Sequence, residues 1–225
     1  MGAPNQFKDA ARDQSSFLAP LEKKALVWMA HRMPAWINSD HLTLLGFLGM
    51  SLAGLCYWLA RWNRLALLAV IVCLAVNWFG DSLDGTLARV RNQQRPRYGF
   101  YVDHIADAFG TLFLLLGMAF SGYMTEWVGV GLLILFMMLS IQSYLAAYAL
   151  GRFQLSFWKF SPTELRLLLV AGNIALLFRP VVRLAGGQYF LFDVGGVIGM
   201  AGMALMVVVF SIRNTRALYK AEPLP

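Results

Sequence analysis

The sequence predicts an all-α integral membrane protein, with six transmembrane helices preceded by an N-terminal interfacial amphipathic helix, oriented N-in/C-in. Three observations carry that prediction. Of 225 residues, 59% are hydrophobic and only 14% charged, with a mean hydropathy of +0.58, whereas soluble domains run near half apolar and a quarter charged. Six apolar stretches, 42–60, 65–87, 100–122, 127–150, 164–182 and 192–212, each match the roughly 20 residues that a helix needs to cross the hydrocarbon core. With the N-terminus inside, fifteen of the 19 Lys and Arg fall on the cytoplasmic side, and only Arg61, Arg64, Arg179 and Arg183 fall outside, as the positive-inside rule requires.

The elements follow in order. No cleavable signal peptide is expected, because the first apolar run comes after the polar segment Met1 to Ser16 and is broken by Glu22, Lys23 and Lys24. Over 17–36, Leu18, Leu21, Leu26 and Met29 recur at helical spacing while Lys23, Lys24, His31 and Arg32 interrupt them. That pattern suits a helix lying in the headgroup plane, and equally one packed on the cytoplasmic face. The six spans then fill 42–212, so 1–225 reads as a single membrane domain with no room for a separate soluble one. The net charge of +7 is a consequence of topology and implies no nucleic-acid partner. Cys56 and Cys73 lie inside apolar runs and form neither a disulfide framework nor a metal-ligand spacing. Trp and Tyr gather near span ends, as membrane-interface aromatics do.

Ionisable groups within predicted spans are costly and tend to be functional. Four acids occupy one window: the second span ends with Asp81 and Asp84, and the third opens with Asp103 and Asp107. On helices these are i,i+3 and i,i+4 pairs, each projecting from one face. The two spans run in opposite directions, which brings both pairs to one depth near the cytoplasmic surface. Such a cluster repels itself unless strong positive charge sits among it, and Arg89 alone cannot neutralise four. One or two hard divalent cations answer the problem: oxygen-only ligands suit Mg²⁺ or Mn²⁺, and also Ca²⁺. Metals held this way commonly bind substrate phosphates.

Gly85 and Ala88 lie on or beside the carboxylate face, where small side chains either pack helices closely, the commoner case, or let a ligand approach the backbone. Arg89 is placed to clamp a phosphate oxygen or to anchor the span at the interface, and Arg91, Arg95 and Arg97 read as anchors. Pro96 and Gly99 are expected to break the chain between the two spans. His104 points about 100° away from Asp103 on a helix, which favours packing or pocket lining over metal ligation.

The order Asp81-x-x-Asp84-Gly85-x-x-Ala88-Arg89 followed by Gly99-x-x-x-Asp103-x-x-x-Asp107 closely resembles the signature of the CDP-alcohol phosphotransferase family. The resemblance extends to the six-span plan and the N-terminal interfacial helix, and more weakly to Ser39-Asp40-His41-Leu42-Thr43 ahead of the first span. It implies metal-dependent transfer of a substituted phosphate from a CDP-linked lipid or aminoalcohol donor to an alcohol acceptor, releasing CMP, in phospholipid synthesis. By the same resemblance Asp81, Asp84, Asp103 and Asp107 hold two divalent ions, Mg²⁺ or Mn²⁺, and Asp107 also serves as general base. Gly85, Ala88, Arg89 and Gly99 then shape the CDP pocket, with Asp40 and Thr43 at its edge. A homodimer is compatible with the resemblance, and a bacterial inner membrane is the expected location.

The branch of the family stays open. Asp103-His104 and Pro162-Thr163-Glu164 are similar to pieces of the ethanolamine- and choline-phosphotransferases, which use CDP-aminoalcohols. The phosphatidyltransferases instead use CDP-diacylglycerol with a water-soluble acceptor. A phosphorylated acceptor needs a second cationic pocket, for which Arg152, Lys159 and Arg166 are candidates, although the positive-inside rule also accounts for them. The rival from another class is a cation-coupled transporter using buried aspartates. Acids at span ends beside four arginines suit a cytosolic nucleotide better than a mid-membrane ion path.

Overall fold

The computed structural model of the protein describes residues 19–151, 162–184 and 186–222. In chain order these form α1 (Ala19–Arg32), α2 (Ser39–Ala60), α3 (Ala66–Val90), α4 (Pro96–Ala119), α5 (Glu126–Leu150), α6 (Pro162–Phe178), β1 (Val181–Leu184), β2 (Gly187–Phe190) and α7 (Leu191–Ala221). Five helices, α2, α3, α4, α5 and α7, are long and apolar enough to cross a membrane. The chain is therefore a multi-pass helical membrane protein. The remaining apolar helix, α6, has 17 residues, a length of about 25 Å at 1.5 Å per residue.

Prolines and caps place the boundaries. α1 stops at Arg32, two residues before Pro34, where the following ring disfavours further helix. Asn38 then caps α2: its side chain accepts from the His41 N–H at 3.0 Å, and the His41 ring accepts from the Asn38 N–H, satisfying two otherwise orphaned donors. The expected break at Pro96 is corrected. Pro96 is the first residue of α4, a position where its missing N–H costs nothing and its fixed φ favours the helix, so α4 begins four residues before the predicted span.

The stretch 164–182 is corrected as well. α6 covers only Pro162–Phe178, and Val181 and Val182 belong to β1, which pairs with β2 in an antiparallel hairpin. Pro180 cannot supply the N–H that a continuing helix needs, and Gly186, at φ +84°, takes the left-handed turn between the strands. At the other end α7 runs to Ala221, so Arg213, Arg216 and Lys220 lie on a helical extension beyond the predicted 192–212 span.

α2 is the centre of the bundle. α3 and α4 pack mainly against α2 rather than against one another, and glycines permit both contacts. A Cβ on Gly80 would lie 2.4 Å from the backbone N of Gly46, and one on Gly49 would lie 2.8 Å from the N of Asn77. On the other flank a Cβ on Gly54 would lie 2.2 Å from the carbonyl O of Phe113, and one on Gly117 2.0 Å from that of Gly54. Backbones this close exclude any larger residue. Below them Tyr57, Leu67, Val70, Leu74, Leu114, Met118 and Phe192 form the main core.

Polar contacts fasten the two shorter helices. Glu22 of α1 accepts at Oε1 from Trp78 Nε1 (2.7 Å), Ser82 Oγ (3.3 Å) and Thr163 Oγ1 (2.8 Å), joining α1 to α3 and α6. Arg91, at the end of α3, donates to the carbonyls of Met33, Pro34 and Ile37, so it fixes the α1–α2 connection rather than serving only as a membrane anchor. Further along α6, the fully buried Asn173 donates from Nδ2 to the Tyr57 hydroxyl at 2.6 Å. α5 and α7 bury few residues, and their exposed apolar faces are what a lipid-facing helix presents.

Candidate active site

Because α3 and α4 both lean on α2, a cleft remains between them at the end where α3 stops and α4 starts. α2 supplies its floor through Thr43, Gly46, Phe47 and Met50, α3 contributes Asn77 and Asp81, and α4 contributes Asp103, Ala106 and Asp107. Asn77, Asp81 and Asp84 are spaced i, i+4, i+7 and share one helix face; Asp103 and Asp107 do the same on α4. Of the two acid pairs expected to face each other, three members meet across the cleft. Asp81, Asp103 and Asp107 each offer a carboxylate oxygen, and these lie within 4.8 Å of one another.

Asp84 stands beside this triad, within electrostatic reach of Asp81 and Asp103. It accepts the Thr43 hydroxyl at Oδ2, 2.6 Å away, and the Gly85 N–H at Oδ1. Ser39 donates to the backbone carbonyl of Asp84 at 2.9 Å. Thus Thr43 acts on the site by orienting an acid as well as by lining the cleft. Asp40 pairs with Arg95 at the rim, and the Arg95 guanidinium also lies 4.1 Å above the Tyr98 ring.

Arg166 departs most from the sequence reading. It is buried in the cleft itself, with Nε donating to Asn77 Oδ1 (2.7 Å) and Nη2 to Asp81 Oδ2 (2.5 Å). The acid cluster therefore has a cation bonded directly to one of its members. Asn77 was missed altogether; a polar residue one helical turn before Asp81, inside an otherwise apolar run, was the available signal. Arg152 and Lys159 lie outside the described residues.

The small residues divide into two kinds. Gly46, Gly49 and Gly80 are packing glycines, but a Cβ on Gly85 would meet only the Arg89 guanidinium at 3.5 Å, and one on Gly99 would meet nothing within 4 Å. The packing reading of Gly85 is corrected: among the described residues, no neighbouring helix requires it to be small. Arg89 is exposed and donates from Nη2 to Thr86 Oγ1 at 3.1 Å, and the partly buried Ala88 lies on the same stretch of α3. His104 is buried, its Nδ1 donating to the Phe100 carbonyl at 2.6 Å and its ring set edge-on to Tyr144.

The donors of the triad are carboxylate oxygens alone, a set that fits a hard divalent cation and not a thiophilic one. Fold and site together define a multi-pass helical membrane protein with an acid-lined cleft at one end of its bundle. A family model described as CDP-alcohol phosphatidyltransferase matches residues 36–211, and the chain belongs to that family. The match runs from just ahead of α2 into α7 and includes every acid of the cleft, while α1 precedes it. Members are transferases of phosphate-containing groups.

Proposed function

We propose that this protein transfers a substituted phosphate from a CDP-linked donor, CDP-diacylglycerol or a CDP-aminoalcohol, to an alcohol acceptor and releases CMP. The observation that carries this is the convergence of Asp81, Asp103 and Asp107 within 4.8 Å in a chain of this family. Asp81, Asp84, Asp103 and Asp107 are the residues that would hold divalent ions, Mg²⁺ or Mn²⁺. When bound, such ions supply charge neutralisation to a pyrophosphate.

The chain's own residues account for the rest. The open backbone at Gly85 and Gly99 admits the nucleotide, with Ala88 and Arg89 beside it and Asp40 and Thr43 at the edge. Asp107 is exposed to the cleft and one helical turn from Asp103, a place where it can take the proton of an acceptor hydroxyl. The alcohol oxygen then bonds to the donor phosphorus that carries the substituent. The bond from that phosphorus to the bridging oxygen breaks, and CMP departs with the electron pair. Arg152, Lys159 and Arg166 are the candidate cations for a phosphorylated acceptor.

The topology that fits is six spans, with α6 as the fifth, and both termini and the cleft on the cytoplasmic side, since Arg89, Arg91, Arg95, Arg97, Arg213, Arg216 and Lys220 then share that side. The test is CMP release by the purified protein with Mg²⁺ or Mn²⁺, from CDP-diacylglycerol, CDP-ethanolamine and CDP-choline in turn, against a panel of alcohols. Release that needs one donor type, stops with chelator and returns with metal is the expected result. No release from any donor by folded protein would overturn the assignment.

A further inference from the structure

Among the described Lys and Arg side chains, Arg166 alone is buried, at 8% exposure. A guanidinium inside a membrane bundle is costly unless it is paired and hydrogen-bonded, and both conditions are met on α3, through Asn77 and Asp81. Asn77 is 3% exposed and is itself fixed, donating from Nδ2 to the Gly46 carbonyl at 2.9 Å. One turn away on α6, Thr163 is held by Glu22. Arg166 is thus braced from two directions, and its charge cannot easily leave the cleft.

The carboxylate that Arg166 holds also belongs to the triad. A fixed positive charge bonded to one oxygen of Asp81 keeps that acid in place against the repulsion of Asp103 and Asp107. The same charge repels a divalent cation entering the pocket and competes for Asp81. We infer that Arg166 is a positioning residue for the acid cluster: a built-in counter-charge that holds Asp81 and lowers the affinity of the cluster for divalent cations. The inference rests on the metal-dependent reading above and adds a residue that tunes it. Four acids without a counter-charge would repel one another when empty and grip an ion once loaded; Arg166 moderates both tendencies.

The experiment is Mn²⁺ titration of the full-length protein in detergent, read from the electron-spin signal of free Mn²⁺, alongside thermal unfolding with and without saturating Mn²⁺. Wild type is compared with Asp103→Asn, Arg166→Gln and Arg166→Lys. Arg166→Gln is expected to bind Mn²⁺ about tenfold more tightly, as loss of a nearby like charge in a low-dielectric site predicts. It should also lose more thermal stability without Mn²⁺ than with it. Arg166→Lys, which keeps the charge, should stay within about threefold of wild type on the same argument. A purely structural role predicts equal loss in both conditions and no gain in affinity.

Unchanged or weaker Mn²⁺ binding by Arg166→Gln, with wild-type binding intact and lost in Asp103→Asn, overturns this inference and leaves the metal reading standing. Absence of Mn²⁺ binding by wild type overturns both. Should Arg166→Gln fail to accumulate, Asn77→Ser loosens the seat of Arg166 without altering a charge. It is expected to tighten Mn²⁺ by a smaller factor, about threefold, and unchanged or weaker binding there overturns the inference equally.

Discussion

Thr43 donates its hydroxyl to Asp84 Oδ2 at 2.6 Å, across the crossing of α2 and α3. With the Gly85 N–H on the other oxygen, both sides of this carboxylate are engaged, and Asp84 is oriented from two elements. Asp84 therefore stands as a preset member of the cleft, beside Asp81, which Arg166 holds on the same helix.

Replacing Thr43 by Val removes the orienting bond and keeps the shape. Loss of a group that orients a metal ligand typically costs 10- to 100-fold in metal affinity or activity, while the hydrogen bond itself is worth about 1 kcal/mol of stability. Thr43→Val is expected to need at least about tenfold more Mg²⁺ for half-maximal CMP release, with a nearly unchanged melting temperature. Thr43→Ser should restore the wild-type requirement; a Val variant with wild-type Mg²⁺ dependence would remove Thr43 from the site.

The two kinds of glycine separate under alanine substitution. Gly80→Ala drives a methyl against the Gly46 backbone and should cost about 1–3 kcal/mol or more by overpacking, read as a lower melting temperature. Gly85→Ala meets only a flexible guanidinium, so its stability should stay within about 0.5 kcal/mol of wild type. Its KM for the CDP-linked donor should rise. Equal stability losses in the two variants would return Gly85 to a packing role.

Asp107→Asn should fold normally and lose CMP release by about 10²- to 10⁴-fold, the usual contribution of a general base. Mn²⁺ binding, measured on the same sample, distinguishes base from ligand: a large fall in turnover with binding retained assigns the proton-accepting role. Wild-type turnover would exclude that role.

Glu22 receives only donors: an indole N–H and two hydroxyls. An amide oxygen can accept the same bonds, so Glu22→Gln should keep α1 docked, and Glu22→Ala should release it at a cost of about 1–3 kcal/mol for three part-buried donors that lose this acceptor. Hydrogen exchange over 19–32 and at the Trp78 indole is the measurement. Protection in the Ala variant equal to wild type would show that apolar packing alone holds α1.

The acid pairs were legible because their spacing on single helices is a local property, as were most span positions. The hairpin at 181–190 was hidden because Val181 and Val182 extend an apolar run past the proline that ends α6. The partner of Arg166 was invisible for another reason: 85 residues separate it from Asp81, and no periodicity connects residues on different helices. In the sequence Glu22 is only a break in the first apolar run, since its three donors come from α3 and α6. The distribution of cationic residues along the chain could not tell which arginine turns inward.

The glycines on α2 have a geometric consequence for chemistry. With backbones touching on both flanks, this helix works as a spacer gauge, its bare width fixing how far the acid-bearing edge of α3 stands from that of α4. A methyl group at Gly54, opposite Phe113, would push Asp103 and Asp107 outward as a unit while every carboxylate kept its identity. The separation of the acids is thus calibrated in part at positions such as Gly54 and Gly117 that do not line the cleft, and variation there would change the site by changing a dimension.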